Sequence, residues 1–381
     1  MSGSPETPGP KVLFYVQHLL GIGHIARASR IASAMKDDGF DVTVVTGGLP
    51  VPGFPADGIP AIALPPVVAS NAGFSGLADE NGRPADEAFL ARRRDQLLEI
   101  FRRLKPDMVI IEAFPFGRRQ MRFELIPLIE AIENSTPRPK LITSVRDIVQ
   151  QRTKPGRNEE TVALIKAHFD RVLVHGDENF VPLSYSFPLA EEIADHIVHT
   201  GLVAAPPAPA SPEKFDIVVS AGGGAVGAAL VNAAIGAARR HTQRSWCVIA
   251  GPNLPGADFQ KLLQDSPSNV EVVRFRKDFP SLLQGAEVSV SQAGYNTVCD
   301  LLQAGCRAIL VPFTQGGETE QAVRAERLEE MGLAIAISED RLDVQVLSDA
   351  IAEALENPPP PAAALDLDGA RKAARYLRSL Q

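Results

Sequence analysis

The chain has 381 residues, 45% of them hydrophobic and 22% charged, with a formal net charge of −8. That length exceeds what one core usually fills, so two domains are expected; the acidic balance argues against a general nucleic-acid binder. The three cysteines, Cys247, Cys299 and Cys306, form neither a metal spacing nor a disulfide framework, and no run reaches the roughly 18 apolar residues of a membrane span.

A cytoplasmic protein, with any membrane contact peripheral, is therefore expected. In chain order, residues 1–10 read as a disordered tail without a signal pattern. Short apolar runs at 12–16, 42–46, 108–111, 141–145 and 172–174 predict buried parallel strands. Helical patterns lie among them: Ala28, Ile31, Ala32 and Met35 share one face, and 89–104 and 123–132 form two more. This alternation implies a doubly wound sheet in an N-terminal domain, 11–200. A linker follows at 201–214, stiffened by Pro206, Pro207, Pro209 and Pro212. The pattern restarts in a domain at 215–357, with strands at 215–220, 246–250, 272–274, 288–291 and 308–311 and helices at 228–240, 295–304 and 320–331. A closing segment, 358–381, holds a proline run and a helical stretch at 368–380. The expected fold class is α/β, two Rossmann-like doubly wound parallel-sheet domains facing across a cleft.

Gly21-Ile22-Gly23-His24-Ile25-Ala26 fits the dinucleotide-binding pattern G-x-G-x-x-G/A. The acid such a site needs for the ribose is missing, because the second strand ends Val44-Val45-Thr46-Gly47-Gly48 and Asp41 stands at its start. Two readings remain. One is a tight packing turn. The other is a ligand-facing loop with His24 at a helix N-terminus, kept neutral by the helix dipole and able to act as a base toward a hydroxyl, with His18 as its rival.

In the 220–227 loop, Gly222, Gly223 and Gly224 expose backbone N–H groups suited to phosphate, without the Lys-Ser/Thr of a P-loop. Further on, Ser291-Gln292-Ala293-Gly294 lies at a strand end, Tyr295-Asn296-Thr297 opens a helix, and Asp300 follows one turn in. A polar loop containing Gly317 and Glu318 leads to Glu320-Gln321 at the start of another helix. Both loops stand at the carboxyl ends of parallel strands, where open α/β sheets bind ligands. Asp300 would accept ribose hydroxyls, and Glu320-Gln321 would hold sugar hydroxyls. The alternative is helix capping, which Asn296 or Thr319 would suit.

This stretch resembles the donor-site signature of GT-B glycosyltransferases of the MurG-like family (glycosyltransferase family 28 C-terminal domain type). The family's S-x-A-G-x-x-T-x-x-E block is matched by Ser291, Ala293, Gly294 and Thr297, with Asp300 in place of the glutamate. The 220–228 loop is similar to the family's GGSQGA loop, which approaches the donor diphosphate, and Gly23-His24 to its N-terminal glycine loop. "IEAFPFGRRQMRFE", "SVRDIV" and "VLVHGDENFVPLSYSFP" look closer to a group of predicted GT-B transferases that supplies no acceptor. The resemblance implies a GT-B fold whose last helix crosses back to the N-terminal domain. It also implies inverting, metal-independent transfer of a sugar from a nucleotide sugar, UDP-sugar first, to a hydroxyl acceptor in polysaccharide or glycolipid synthesis.

Such chemistry needs one base and something to stabilise the leaving diphosphate. No Asp-x-Asp motif stands at a suitable loop, so no cofactor or metal is expected, and the 220–228 backbone would carry the charge. His24 is the first candidate base. Glu112, ending the strand at 108–111, and Asp147, just past 141–145, are alternatives, or else ion-pair partners of Arg118, Arg119 or Arg146. His175 and Arg146 are further cleft candidates, though His175-Gly176-Asp177 also suits a capped turn. Gly21 and Gly23 would let the backbone approach the donor phosphates.

The basic cluster Arg92-Arg93-Arg94, Arg102-Arg103, Lys105, Arg118-Arg119 and Arg122 reads either as a grip on an anionic membrane surface or acidic saccharide, or as a solvated helix face. Residues 65–84 form a loop of the length typical of lids and acceptor sites. The expected partners are a nucleotide-sugar donor and a saccharide or lipid-linked acceptor, with no nucleic acid. A nucleotide-sugar 2-epimerase or hydrolase on the same fold, or a non-catalytic binding module, are the competing readings.

Overall fold

The computed structural model describes residues 9–19, 23–69, 76–150, 154–222, 227–315, 318–360 and 365–381. Two compact units divide the chain: Met1–Val203 with Asp368–Gln381, and Ala204–Leu367.

The first unit runs β1 (Lys11–Val16), α1 (Gly23–Asp37), β2 (Asp41–Thr46), β3 (Ala61–Ala63), the short pair β4 (Val68–Ala69) and β5 (Leu77–Ala78), and α2 (Glu87–Leu104). It continues through β6 (Met108–Glu112), α3 (Arg122–Glu133), β7 (Lys140–Arg146), α4 (Arg157–His168), β8 (Arg171–His175) and β9 (Ile197–His199). The sheet order is β3-β2-β1-β6-β7-β8-β9, parallel throughout. β1 shows why its run is uniformly apolar. Leu13 and Tyr15 point into one core with residues of α2 and α3, while Val12, Phe14 and Val16 point into another with α1. Side chains alternate across a strand, so a sheet covered on both faces needs apolar residues at both parities.

The second unit runs β10 (Ile217–Ser220), α5 (Ala228–Ala238), β11 (Trp246–Ile249), α6 (Gly256–Asp265), β12 (Val270–Val273), α7 (Phe279–Leu283), β13 (Val288–Ser291), α8 (Tyr295–Ala304), β14 (Arg307–Leu310), α9 (Glu320–Glu330), β15 (Ile335–Ala336) and α10 (Val344–Glu356). Its parallel order is β12-β11-β10-β13-β14-β15. Both sheets are thus doubly wound, each with its first strand beside the one where the winding direction reverses. Open α/β sheets bind ligands outside the carboxyl ends of that central pair. The pairs are β1/β6 in the first unit and β10/β13 in the second.

The last helix, α11 (Gly369–Arg378), belongs to the first unit. Asp368 bridges Val203, and Gly369 N–H donates to Leu202 O at 3.0 Å. A Cβ on Gly369 would stand 2.3 Å from Gly201 O, so glycine is what lets these strands of chain meet. Ala373, Ala374 and Leu377 then pack into the core that α1 covers, and the Arg378 guanidinium lies 4.3 Å from the centre of the Phe40 ring. Residues 201–203, assigned to the proline linker on sequence, are buried in this unit.

Candidate functional site

The β1/β6 pair places His24 and Glu112 together. β1 ends at Val16, and His24 is the second residue of α1; Glu112 is the last residue of β6. His24 Nδ1 lies 2.9 Å from Glu112 Oε1, with the imidazole 19% exposed and the carboxylate fully buried. Arg27, one turn along α1, donates from Nη2 to the same Oε1. Neighbours three apart on a helix share a face, which is how His24 and Arg27 reach one carboxylate. Arg27 Nη2 also comes within 3.5 Å of His24 Nδ1. An ionised carboxylate only accepts, so Nδ1 carries the hydrogen given to Glu112, and the approach of Arg27 to that nitrogen is a contact rather than a second bond.

The electrostatics separate the two groups. His24 and Arg27 hold the Glu112 carboxyl well below the usual carboxylate range despite its burial. Burial, opposed by Glu112 and aided by Arg118 and Arg146, pushes His24 down to about 4. His24 is thus neutral at physiological pH. Desolvation leads the causes, where the sequence pointed to the helix dipole. Glu112, buried and weakly basic, is badly placed as a base in its own right. Its hydrogen-bonding partners are His24 and Arg27, whereas Arg119 and Arg122 pair with Glu160.

The backbone at this strand end is unusual. Ala113 has φ 65° and Arg118 has φ 56°, left-handed values that cost a residue with a Cβ about 1 kcal/mol or more. Ala113 N–H donates to Ser144 O at 2.9 Å, and Arg118 Nε donates to Gln17 O at 2.7 Å, so the 113–118 turn is tied to both β7 and the loop after β1.

Among the remaining first-unit candidates, His18 is buried, and burial lowers its pKa. Asp147 is fully buried, and its Oδ1 accepts from Ile148 N–H at 2.9 Å. A Cβ on Gly176 would stand 2.7 Å from Asp147 Cβ, so the β8 turn closes directly over it. Arg146, at the end of β7, is near enough to His24 to lower its pKa. His175, read as a cleft candidate or as part of a capped turn, is held inside the first unit. It is fully buried, with Nε2 2.8 Å from Ser144 Oγ and Nδ1 2.8 Å from Thr200 Oγ1. Burial pushes it down to about 3, and both nitrogens are already satisfied.

Arg93 departs from the solvated-face reading of the basic cluster. It is fully buried and donates to Glu124 Oε2 at 2.7 Å, Glu124 Oε1 at 3.0 Å, Gln17 Oε1 at 2.7 Å and Gly47 O at 2.9 Å. Tyr15 OH donates to Glu124 Oε1 from β1. This network anchors the loops after β1 and β2. Nothing in a run of three arginines marks which one is buried, although α2 periodicity puts Arg93 in line with Leu97, Ile100 and Phe101.

In the second unit the β10/β13 pair brings together Gly222 and Gln292. Gly222 has φ +73°, and a Cβ there would stand 2.6 Å from Gln292 Oε1. Ser291 is fully buried at the end of β13, and Ala293 O accepts from Arg324 Nη1 at 2.8 Å. Arg324, buried on α9 with its guanidinium 5.7 Å from the centre of the Tyr295 ring, was missed on sequence. Gly294 caps α8, and a Cβ on it would meet only Thr297 Oγ1 at 3.9 Å. That face is open, so packing does not require a glycine here. Asn296, Thr297 and Asp300 fall on one face of α8 by spacing.

The cap of α8 is Gly294 rather than Asn296, whereas Thr319 is the N-cap residue of α9, without a side-chain cap bond. Glu318 Oε1 accepts from Glu320 N–H at 2.8 Å, and Gln321 Oε1 accepts from Phe313 N–H at 3.1 Å, closing the loop after β14. Glu320 is buried. Gly23, exposed, opens α1, while Gly21, Gly223, Gly224 and Gly317 lie outside the described residues. Among the described residues, no group of three or more His, Cys, Asp or Glu is placed to hold a metal ion, and no helix is long and apolar enough to cross a membrane.

Residues 217–375 match the family described as Glycosyltransferase family 28 C-terminal domain. A UDP-N-acetylglucosamine–N-acetylmuramyl-(pentapeptide) pyrophosphoryl-undecaprenol N-acetylglucosamine transferase of Gloeobacter violaceus is 29% identical over 154 residues, 39% of this chain and 42% of that protein. The match therefore spans under half the length of that relative. Among solved structures, the calicheamicin glycosyltransferase CalG4 has a TM-score of 0.62 at 18% identity, covering 98% of this chain and 95% of its own. Acinetobacter baumannii MurG has a TM-score of 0.58 at 17% identity, covering 97% and 99%.

Proposed function

We propose, from the match of residues 217–375 to the glycosyltransferase family 28 C-terminal domain and the GT-B fold, that this protein transfers a sugar from a nucleotide-sugar donor to a hydroxyl acceptor. The observation that carries the reading is the 2.9 Å pair of His24 and Glu112 at the carboxyl end of β1/β6. A neutral imidazole whose Nδ1–H is held by a carboxylate presents Nε2 as a base.

In the proposed step the acceptor O–H proton passes to His24 Nε2. The acceptor oxygen bonds to the anomeric carbon opposite the breaking bond to the diphosphate, which leaves with the electron pair. The anomeric configuration inverts, and Glu112 stabilises the imidazolium. The donor is assigned to the second unit. The diphosphate is assigned to backbone N–H groups of the 220–228 loop, with Gly294 letting it approach the start of α8 and Asp300 accepting the ribose hydroxyls. Glu320 and Gln321 are assigned the sugar hydroxyls. UDP-sugar is the first choice, the acceptor is a saccharide or lipid-linked hydroxyl, and transfer is proposed to run without metal, on a cytoplasmic protein that touches a membrane peripherally.

A thermal-shift panel of UDP-, GDP-, dTDP- and CMP-sugars, repeated with EDTA, tests the donor assignment. A rise in Tm with one nucleotide class, unaffected by EDTA, is expected. The assignment is overturned if no nucleotide sugar raises Tm, and the transferase reading gives way to an epimerase or hydrolase if UDP-sugar alone is converted at enzymatic rates.

A further inference from the structure

Glu112 Oε1 receives two donors at once, Nδ1–H of His24 and Nη2 of Arg27, and both come from one face of α1. Arg27 is buried on that helix beside the base, at a position where the neighbouring buried residues, Ile25, Ala28 and Ile31, are apolar. A guanidinium buried there needs a reason beyond packing, because it brings a charge into a core that an aliphatic side chain would fill. The charged groups facing His24 are Glu112 from β6, Arg118 from the turn after β6, Arg146 from the end of β7, and Arg27 on its own helix. His175 is near enough to Arg27 and Glu112 for both to act on it.

We propose that Arg27 is a positioning residue for the transfer reaction: by binding the same carboxylate oxygen as His24, it fixes Glu112 and sets how much basicity that carboxylate lends to the imidazole. The inference rests on the reading of His24 as the base. A carboxylate oxygen shared with a guanidinium has less charge to offer an imidazolium, so His24 remains a weak base that is neutral over the whole physiological range. Without Arg27, Glu112 would bind the imidazolium more strongly, and its side chain would lose the contact that fixes its orientation.

The test compares Arg27→Met with Arg27→Lys. The first measurement, independent of activity, is the His24 titration midpoint by NMR. The second is the pH profile of kcat/KM. In Arg27→Met the midpoint is expected to rise by at least one pH unit, the acid limb of the profile to move up with it, and kcat to fall tenfold or more. Arg27→Lys, which restores a charge on the carboxylate, should bring the midpoint most of the way back. A residue that merely supports the fold would lower Tm and leave the midpoint in place. A folded Arg27→Met with an unmoved midpoint and acid limb overturns the proposal. If Arg27→Met does not fold, Arg27→Gln against Arg27→Lys makes the same neutral-versus-charged comparison. Wild-type transfer by His24→Ala would instead refute the base assignment, while the NMR midpoint in the Arg27 variants would still report whether Arg27 governs His24.

Discussion

His24 Nδ1 and Glu112 Oε1 are 2.9 Å apart although 88 residues separate them in the chain. The carboxylate is fully buried, so the pair works through its charge rather than through exchange with solvent. Glu112→Gln tests this. The carboxamide still accepts Nδ1–H but offers no charge to an imidazolium, so kcat should fall by roughly 10²-fold. Arg27 would be left buried without its counter-charge, and urea unfolding should show a loss of about 3 kcal/mol. An unchanged kcat in a folded variant would remove Glu112 from the reaction.

His175 should behave differently. Its two ring nitrogens serve Ser144 and Thr200, each at 2.8 Å, in a fully buried position. His175→Ala removes a hydrogen-bond partner from the Ser144 and Thr200 hydroxyls and leaves a cavity, which should cost roughly 2–5 kcal/mol by urea titration. Activity per folded molecule should stay at the wild-type level. A large loss of kcat with full stability would restore His175 to the site.

The two depressed histidines also fix how stability varies with pH. His24 sits at about 4 and His175 at about 3 in the folded chain, below the ordinary value near 6.5 of the unfolded chain. Between those values the unfolded state binds the extra protons. Stability is therefore full above about pH 6.5 and falls as pH drops through the window toward 4 and then 3, by about 1.4 kcal/mol per pH unit for each histidine. Unfolding free energies across pH 4–7 should show this slope, and replacing His175 should reduce it. A flat profile would contradict the burial of neutral histidines.

Glycines in the second unit divide by what surrounds them. A Cβ on Gly227 would stand 2.3 Å from Ala221 Cβ and 2.9 Å from Ala221 O, so Gly227→Ala should lower Tm. Gly294 has φ −64° and an open Cβ direction. Gly294→Ala should therefore fold with an unchanged Tm yet lose the donor-induced thermal shift. Retention of that shift would mean the donor does not approach α8 at this point.

Much of this arrangement was legible in the sequence because its long elements carry strong periodicity. The apolar runs of β1, β6, β7 and β10 are buried on both faces and read plainly as strands, as does the alternating Val-Ser pattern of β13. β3, β9 and β15 are two- or three-residue edge strands with half-exposed side chains, and their short runs carry no such signal. α4, which mixes polar and apolar residues around most of its circumference, was likewise missed. At the site, His24 was picked out at a helix N-terminus and Glu112 at a strand end, but their pairing is tertiary and appears only once β6 lies beside β1. Arg27, Arg93 and Arg324 were invisible as site residues because a buried arginine looks like a surface one until its carboxylate or carbonyl partner is placed.

In the proposed reaction, chemistry resides in His24 while donor binding resides in the second unit. The most direct test measures UDP-sugar binding and sugar transfer side by side in His24→Ala. Wild-type donor affinity is expected, with transfer reduced by roughly 10²–10⁴-fold. Transfer at the wild-type rate, or loss of donor binding in step with activity, would contradict this assignment.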